Sequence, residues 1–362
     1  MSLVSVQHRE EEVRKIQFSG KSSYTVALPK KWIEEMGLGP GDQITVARQS
    51  DASLLLTQKG GYVRGGRGEA IVEVSQKDSA GSLVRKLISV YLLGYNVLHV
   101  KAKEGRLTST QRDVIKEAAH RHLVGTEVVA DSTEETTLQV LLSYPELSVE
   151  NALRRMFLLT ASMHKDAMLA LKKFDKDSAK GVVKSDDEVD RFNIYVIRQL
   201  QMAVQNDRVL KEIGLTTPRE CLGYRLIVKS VERVADHAAR IAQGVLDLEE
   251  PLDESILAKV TNLSDFALNI FEESGLSLFK RDYDAADRIV GRVNIFEDME
   301  KDLLVTIGRE KPTEPHYTAR LIIGDLRRTA EHSSDIAEIV LNMTAGQVII
   351  DAGKSSSSGI SS

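Results

Sequence analysis

Cysteine and long apolar stretches are the two features that this 362-residue chain most clearly lacks. Cys221 is its one cysteine, which excludes a disulfide framework and a thiolate metal site within a single chain. The most apolar stretch, residues 83–100, is interrupted by charged and polar side chains, so no segment approaches the roughly 20 apolar residues needed to span a bilayer. The first twelve residues are polar and acidic, unlike a signal peptide. These absences predict a soluble, cytoplasmic protein without membrane insertion.

The charged residues are unevenly distributed along a chain long enough for two or three domains. Residues 13–67 contain nine lysines and arginines against four acidic residues, although the whole chain carries a net charge of −5. A basic segment joined to an acidic body indicates that a polyanion binds near the N-terminal end.

Residues 10–60 have the pattern of a very small β-rich domain. Alternating polar and apolar residues predict two strands within residues 14–28, and a short helix is predicted to begin at Pro29 and to end at Gly37. A hairpin over residues 43–57 completes the unit. So small a unit buries too little apolar surface to be stable alone, and we expect it to pair with a second copy of itself.

The run from Val26 to Trp32 and the turn at residues 40–42 resemble the swapped-hairpin domains of the SpoVT/AbrB family. The resemblance implies an intertwined homodimer that lays basic residues on DNA. Where many DNA-binding members carry a basic pair a few residues after the proline, this chain has Ile33 and Glu34, which favours a role in dimerisation alone. The candidate DNA-contacting residues are Arg14, Lys15, Lys21, Lys30 and Lys31.

The next two segments are a linker and a small mixed domain. Residues 61–68 are rich in glycine and are predicted to be a flexible linker. Residues 69–145 alternate predicted strands and helices in β-α-β-α-β-β order, which favours an α+β domain with an open sheet covered by helices. No cluster of reactive residues stands out there, so a spacer, a dimerisation domain and a small-molecule sensor all remain open.

Residues 148–345 consist of long amphipathic stretches. Shifting this region by 95 residues matches a series of identical pairs, among them Arg233 with Arg328 and His237 with His332. The match predicts two tandem three-helix repeats, at 148–248 and 251–345, and the serine-rich tail at 351–362 is predicted to be disordered. The six predicted helices span about 150–173, 178–212, 219–248, 253–279, 283–309 and 316–345.

Two pairs of carboxylates on successive helices carry the candidate chemistry. Asp186 and Asp190 are four residues apart on the second predicted helix, and Glu232 and Asp236 are four apart on the third, so each pair shares a helix face. Like charges at this spacing repel by roughly 0.2–0.5 kcal/mol per pair, and a bridging cation would relieve that repulsion. Hard oxygen ligands suit Mg²⁺ or Mn²⁺, or iron in multinuclear clusters.

Residues 186–190 and 231–238 resemble the metal motifs of PhoU proteins, and the resemblance extends over about residues 148–345. It implies two three-helix repeats that bind iron or zinc clusters, and a role in phosphate signalling exerted partly through the ATPase subunits of the phosphate transporter. The whole arrangement resembles archaeal PhoU-family regulators with an N-terminal AbrB-like domain. The predicted fold is therefore multidomain, with a small β swapped-hairpin domain, an α+β domain and an all-α PhoU-like bundle.

The second repeat departs from the metal motif. Arg327 stands at the position that matches Glu232, and an arginine cannot ligate a metal. Asp298 and Asp302 have the required spacing but a shifted register, and Glu331 is expected to form an ion pair with Arg327. We therefore predict one metal cluster per chain.

Three functions remain to be weighed. The leading hypothesis is a dimeric regulator of phosphate uptake that binds DNA through its N-terminal domain and a metal through its helical repeats. The second is an adaptor that docks on the transporter ATPase and binds no DNA. The third is a carboxylate-bridged metal enzyme, which is disfavoured because the first repeat lacks the Glu-x-x-His pairs of di-iron bundles. We expect a regulator and not an enzyme.

Overall fold

The structure, a computed structural model, describes residues 12–20, 22–48, 53–58, 67–141, 147–309 and 313–349. The chain divides into two compact units, Met1–Arg64 and Gly65–Ser362. Most of the predicted linker and all of the predicted tail lie outside the described residues.

The first unit has the predicted β-β-α-β-β order. Strand β1 pairs with β2, and β3 pairs with β4, both antiparallel. The first two strands are shorter than the alternation suggested, and a six-residue helix follows Pro29. The elements are β1 (Gln17–Ser19), β2 (Ser23–Thr25), α1 (Lys30–Glu35), β3 (Ile44–Arg48) and β4 (Leu54–Gln58).

The apolar side chains of this first unit are almost all exposed. Phe18 and Tyr24 stack edge to face with ring centroids 5.2 Å apart, yet 61 % and 72 % of their surfaces face solvent. Among the described residues of the unit, Leu38 is the one large apolar side chain that is buried. A single copy therefore has almost no core of its own, as its size led us to expect.

The second unit begins with a four-stranded mixed sheet in the order β5-β6-β8-β7. Strand β5 pairs with β6 in parallel, and the other two pairings are antiparallel. Arg67 and Gly68, which were assigned to the linker, instead begin β5 because they pair alongside β6. The elements are β5 (Arg67–Val74), α2 (Ala80–Leu92), β6 (Tyr95–Ala102), α3 (Ser109–His122), β7 (Thr126–Asp131) and β8 (Glu135–Val140).

Helices α2 and α3 cover one face of this sheet, which confirms the predicted α+β arrangement. Ser79 caps α2, and a reciprocal capping box formed by Thr108 and Gln111 starts α3. The core between helices and sheet is mainly apolar and includes Val72, Val74, Leu83, Leu87, Tyr91, Leu98, Val100, Ile115, Ala118 and Leu138.

The remainder of the second unit is helical, but two of the six predicted helices were wrong in extent. The predicted helix 178–212 is interrupted at Asn206, whose side chain accepts two backbone N–H groups and starts a new helix. The predicted helix 283–309 is interrupted at Gly291 and Arg292. The described helices are α4 (Val149–Lys173), α5 (Lys176–Ala203), α6 (Asp207–Glu212), α7 (Pro218–Asp247), α8 (Glu254–Lys280), α9 (Tyr283–Val290), α10 (Val293–Gly308) and α11 (Glu314–Thr344).

The long helices α7 and α11 form the centre of the bundle. A β-carbon built on Gly223 would lie 2.5 Å from Sδ of Met343, whereas one built on Gly244 would lie 3.4 Å from Cγ2 of Thr318, so the two helices run antiparallel. Helix α7 presents a continuous apolar seam to the bundle, and each of its members is fully buried: Ile227, Val231, Val234, Ala238, Ile241 and Val245.

The mixed sheet domain packs on the bundle through helix α5. Arg198 is buried and donates hydrogen bonds to the carbonyl oxygens of Tyr91 and Tyr95, the latter at 2.9 Å, and to Oδ1 of Asn96 at 3.1 Å. A charged donor on α5 thus binds one carbonyl group in the last turn of α2 and one at the start of β6. None of the helices in the described part of the chain is long and apolar enough to cross a membrane.

Candidate metal centre

The four predicted carboxylates lie on facing helices, two on α5 and two on α7. One oxygen from each of Asp190, Glu232 and Asp236 lies within 4.8 Å of the other two. Glu232 is only 7 % exposed, and Asp190 and Asp236 are half-buried. Asp186 lies one turn before Asp190 and is also half-buried. The four-residue spacing of the acids on each of two facing helices thus brings them into one compact carboxylate group.

Two of these carboxyl groups have strongly perturbed titration. Burial, together with the nearby charge of Asp236, raises the pKa of Asp186 to about 7. Burial, together with the nearby charge of Glu232, raises the pKa of Asp190 to about 6. Each of the two aspartates of α5 is therefore harder to ionise because it is desolvated and close to the acids of α7.

The described residues only partly neutralise the negative charge of this carboxylate group. Lys229 donates from Nζ to both carboxylate oxygens of Glu232. Oδ1 of Asp186 is buried and has no hydrogen-bond partner among the described residues. Four carboxylates therefore share one close lysine, and the all-oxygen donor set with an unpartnered buried oxygen fits a hard divalent or trivalent cation.

The histidine beside the group does not take part in it. His237 follows Asp236 in sequence, but its Nδ1 lies 2.8 Å from Oδ1 of Asp325 on α11. Its ring stacks on that of His332, with centroids 5.7 Å apart. The pair of histidines that recurs between the repeats therefore lies at the α7–α11 contact and supplies no nitrogen ligand to the carboxylate group.

The other acidic residues of α5 bind neighbouring elements. Arg121, at the end of α3, donates to Asp187 at 2.6 Å. Arg155 on α4 donates to Glu188 at the same distance. None of the three cations Arg121, Arg155 and Lys229 was predicted from the sequence. Lys229 could have been found from its position three residues before Glu232 on the same helix. The two arginines come from other helices and have no local signal.

The second repeat places different residues at the matching location, and the predicted ion pair between Arg327 and Glu331 was wrong. Arg327 donates to Oε1 of Glu300 at 3.1 Å and not to Glu331, which instead accepts from Arg328 at 2.7 Å. Asp298 and Asp302 are exposed, and the buried carboxylate that α10 presents to α11 is Glu300. Burial raises the pKa of Glu300, while Arg327 lowers it. A desolvated carboxylate attracts the nearest cation, which explains the change of partner.

The candidate DNA-contacting residues lie in the first unit, apart from Lys21, which is outside the described residues. Arg14 and Lys15 are exposed before β1, and Arg14 forms an ion pair with Glu12. Lys30 and Lys31 lie in the first turn of α1, where their ammonium groups are 3.5 Å from Glu34 and 3.9 Å from Glu35. The two lysines of the helix are therefore accompanied by two glutamates.

Sequence comparison finds two known family patterns in the chain. The PhoU domain family matches residues 153–245 and 260–340. The family described as antidote-toxin recognition MazE, bacterial antitoxin, matches residues 17–62. The PhoU matches coincide with the two helical repeats, and the MazE match with the first unit.

Two curated relatives are similar over about half of the chain. One is "Phosphate-specific transport system accessory protein PhoU homolog" from Borreliella burgdorferi, 24 % identical over 51 % of this chain and 86 % of its own length. The other, "PhoU homolog 1" of the same description from Thermotoga maritima, is 24 % identical over 54 % of this chain and 84 % of its own.

Two solved structures are similar to about half of this chain. PhoU from Pseudomonas aeruginosa aligns with a TM-score of 0.49 at 21 % identity, over 55 % of this chain and 96 % of that one. PhoU from Streptococcus pneumoniae aligns with a TM-score of 0.47 at 20 % identity, over 56 % and 96 %. On the family matches given above, residues 153–245 and 260–340 of this chain are two PhoU domains, preceded at residues 17–62 by a small domain of the MazE/AbrB-like type.

Proposed function

We propose that this protein is a phosphate-responsive regulator of phosphate uptake whose first PhoU domain binds a metal. The relatives named as accessory proteins of phosphate-specific transport support the regulatory role. The single observation that carries the metal is the convergence of Asp190, Glu232 and Asp236 within 4.8 Å, beside the unpartnered oxygen of Asp186. The group lies within the first PhoU match.

The metal would be held by Asp186, Asp190, Glu232 and Asp236. All ligands are oxygens, which suits iron, Mn²⁺ or Mg²⁺ better than zinc, whose usual ligands include nitrogen or sulfur. A bound cation would neutralise the carboxylates and join α5 to α7. Helix α5 also carries Asp187, which binds Arg121, and Arg198, which binds Tyr95, so occupancy of the site bears on the helix that supports the mixed sheet domain.

The first unit would act as a homodimer that binds DNA. Its exposed apolar side chains, including Phe18, Tyr24 and Val46, require a cover that a second copy of the same unit would supply. Pairing would also bring together two sets of Arg14, Lys15, Lys21, Lys30 and Lys31. Phosphate contacts made by several such cations give DNA binding that weakens steeply with salt.

The test is capture of fragmented genomic DNA from the source organism by the full-length protein, followed by sequencing of the retained fragments. The variant changes Lys21, Lys30 and Lys31 to alanine. The matched control changes three exposed lysines of the helical domains, Lys172, Lys173 and Lys280, to alanine. We expect enrichment of a few promoters that the first variant loses and the control keeps. Equal retention by all three proteins, or no retention at physiological salt, would contradict DNA binding.

A second candidate is an adaptor that docks on the transporter ATPase and binds no DNA. The ion pairs of Lys30 with Glu34 and of Lys31 with Glu35 favour it, because they leave α1 electrically balanced. In that case the lysine variant would still co-purify with the ATPase subunit as well as the unaltered protein does. Co-purification combined with DNA capture therefore separates the two functions.

A further inference from the structure

The groove between α7 and α11 contains an unusual concentration of arginine. It has a volume of about 640 Å³ and is lined by Arg240 from α7 and by Arg320, Arg327 and Arg328 from α11. Its acidic lining residues are Asp247 and Asp325. Four guanidinium groups thus face two carboxylates within one concave site.

The cations of this groove differ in how far they are already neutralised. Arg327 and Arg328 are held by Glu300 and Glu331. Arg320 is exposed and makes no ion pair or hydrogen bond with the described residues. Arg240 is 62 % exposed and approaches only Asp325, at 4.0 Å.

The carboxylate of Asp325 is shared between Arg240 and a second partner. Its Oδ1 is also the atom that lies 2.8 Å from Nδ1 of His237. Arg240 and Arg320 are therefore available for an anion that enters between the two helices.

The repeat provides an internal comparison for this charge. The same shift of 95 residues places Asp335 opposite Arg240, Glu338 opposite Gln243 and Glu232 opposite Arg327 in the alignment. At these three positions the matching surface is more negative than the groove, and at three others, Lys229, Ser230 and Asn342, it is more positive. Over all lining positions, four arginines against two aspartates give the groove a net charge of +2, whereas three cations and three acids balance on the matching surface. Divergence of the repeats has therefore left the groove the more basic of the two surfaces, and Arg320 itself matches an arginine, Arg225.

We propose that this groove binds a phosphorylated small molecule of nucleotide size. Its volume lies within the roughly 300–1,000 Å³ of small-molecule sites and greatly exceeds that of inorganic phosphate. Arginines on two facing helices can donate to several sides of a tetrahedral phosphate, while a planar carboxylate accepts in one plane. Leu321, 53 % exposed, and Ile322 add an apolar wall for the remainder of the ligand.

The test is isothermal titration of the full-length protein, freed of divalent metal by chelation and dialysis so that phosphate cannot bind through the metal centre. The probes are ATP, inorganic triphosphate, inorganic phosphate and citrate. Arg320→Ala and Arg240→Ala are each expected to weaken ATP binding by about tenfold, the effect of one lost charged hydrogen bond. The matched control is Arg225→Ala, which removes the corresponding exposed arginine from the other repeat.

The expected result is binding of ATP in preference to citrate that both groove variants weaken and the control preserves. Weakening of equal size in Arg225→Ala would overturn the proposal, since the effect would then be general charge. Equal binding of citrate would refute phosphate as the recognised group, and tighter binding of inorganic phosphate than of ATP would refute the size class. Absence of ATP binding at millimolar concentration would refute the site. Because metal is absent throughout, none of these outcomes bears on the metal centre.

Discussion

The two PhoU domains satisfy buried carboxylates in different ways. In the first, Asp190, Glu232 and Asp236 lie close together beside the half-buried Asp186, and Lys229 donates to Glu232. In the second, the guanidinium of Arg327 stands at the position that matches Glu232 and binds the buried Glu300.

The two repeats therefore share a helical arrangement but neutralise their buried carboxylates in different ways. The second domain has a covalently attached cation, and the first, as we propose, would take an exchangeable one. Because the two domains share a backbone plan and a central helix pair, each supplies the control for experiments on the other.

The largest effect is expected when ligands of the first domain are removed. Asp190→Asn combined with Glu232→Gln should lower metal affinity by more than about 100-fold. That value is the upper range for losing a residue that only hydrogen-bonds to a metal ligand, whereas here two proposed ligands are removed. Metal titration of folded, monodisperse protein measures this. The control is Glu300→Gln in the second domain, which should leave affinity and stoichiometry unchanged; an equal loss there would remove the distinction between the domains.

Reversing the charge of Arg327 should come next. Arg327→Glu places a second carboxylate beside the buried carboxylate of Glu300, and we expect the free energy of unfolding to fall by about 2 kcal/mol. This is less than the loss expected on breaking a fully buried ion pair, because Arg327 is half exposed. Added Mn²⁺ should restore part of that loss by bridging Glu300 and the new carboxylate. Urea denaturation with and without metal measures both. Arg328→Glu, at an exposed position, is the comparison, and a larger loss there would speak against the assigned ion pair.

The pH dependence of stability should also separate the domains. The pKa values of Asp186 and Asp190 are raised to about 7 and about 6, so the folded metal-free protein keeps protons that the unfolded chain has released. The contribution of these two groups to stability should therefore fall as pH rises from about 5 through 7, while His164, whose burial lowers its pKa to about 4, contributes in the opposite direction. His99, whose pKa is raised by Glu135 and Glu69, acts in the same direction as the two aspartates, so a variant is needed to isolate the site.

That variant is Asp186→Asn combined with Asp190→Asn. Urea midpoints measured between pH 5 and 8 should decline less in the variant than in the metal-free unaltered protein, and saturating metal should flatten the decline of the latter. Identical slopes for variant and unaltered protein would mean that these carboxyl groups are not the source.

The smallest effect concerns the two ends of the α7–α11 contact. Gly244→Ala has room, with the nearest atom 3.4 Å from the added β-carbon, and should stabilise the protein by up to about 1 kcal/mol because alanine favours helix over glycine. Gly223→Ala would meet Met343 at 2.5 Å and should gain less or lose stability. Thermal melting of the two variants tests this order, and the reverse order would contradict the described packing.

Much of this architecture follows from the sequence. Alternation and helical periodicity located the strands and most helices, and the recurrence of Arg233 and His237 revealed the duplication. The interruptions at Asn206 and Gly291 were missed, because an amphipathic pattern continues across a short break while capping decides where the chain turns.

The partners of charged residues were less predictable. Local spacing suggested Arg327 with Glu331, but burial of Glu300 on another helix determined the pair. The contacts of Arg121 with Asp187 and of Arg198 with Tyr95 join residues more than sixty positions apart, which no local pattern encodes. The metal, the DNA partner and the archaeal type remain predictions.

The most direct test of the asymmetry between the two domains is an anomalous difference map from crystals of the metal-loaded protein, collected at the absorption edge of the metal. The account predicts a strong peak between Asp190, Glu232 and Asp236 and none beside Arg327 and Glu300. A peak at the second location, or none at the first in crystals with full metal content, would contradict it.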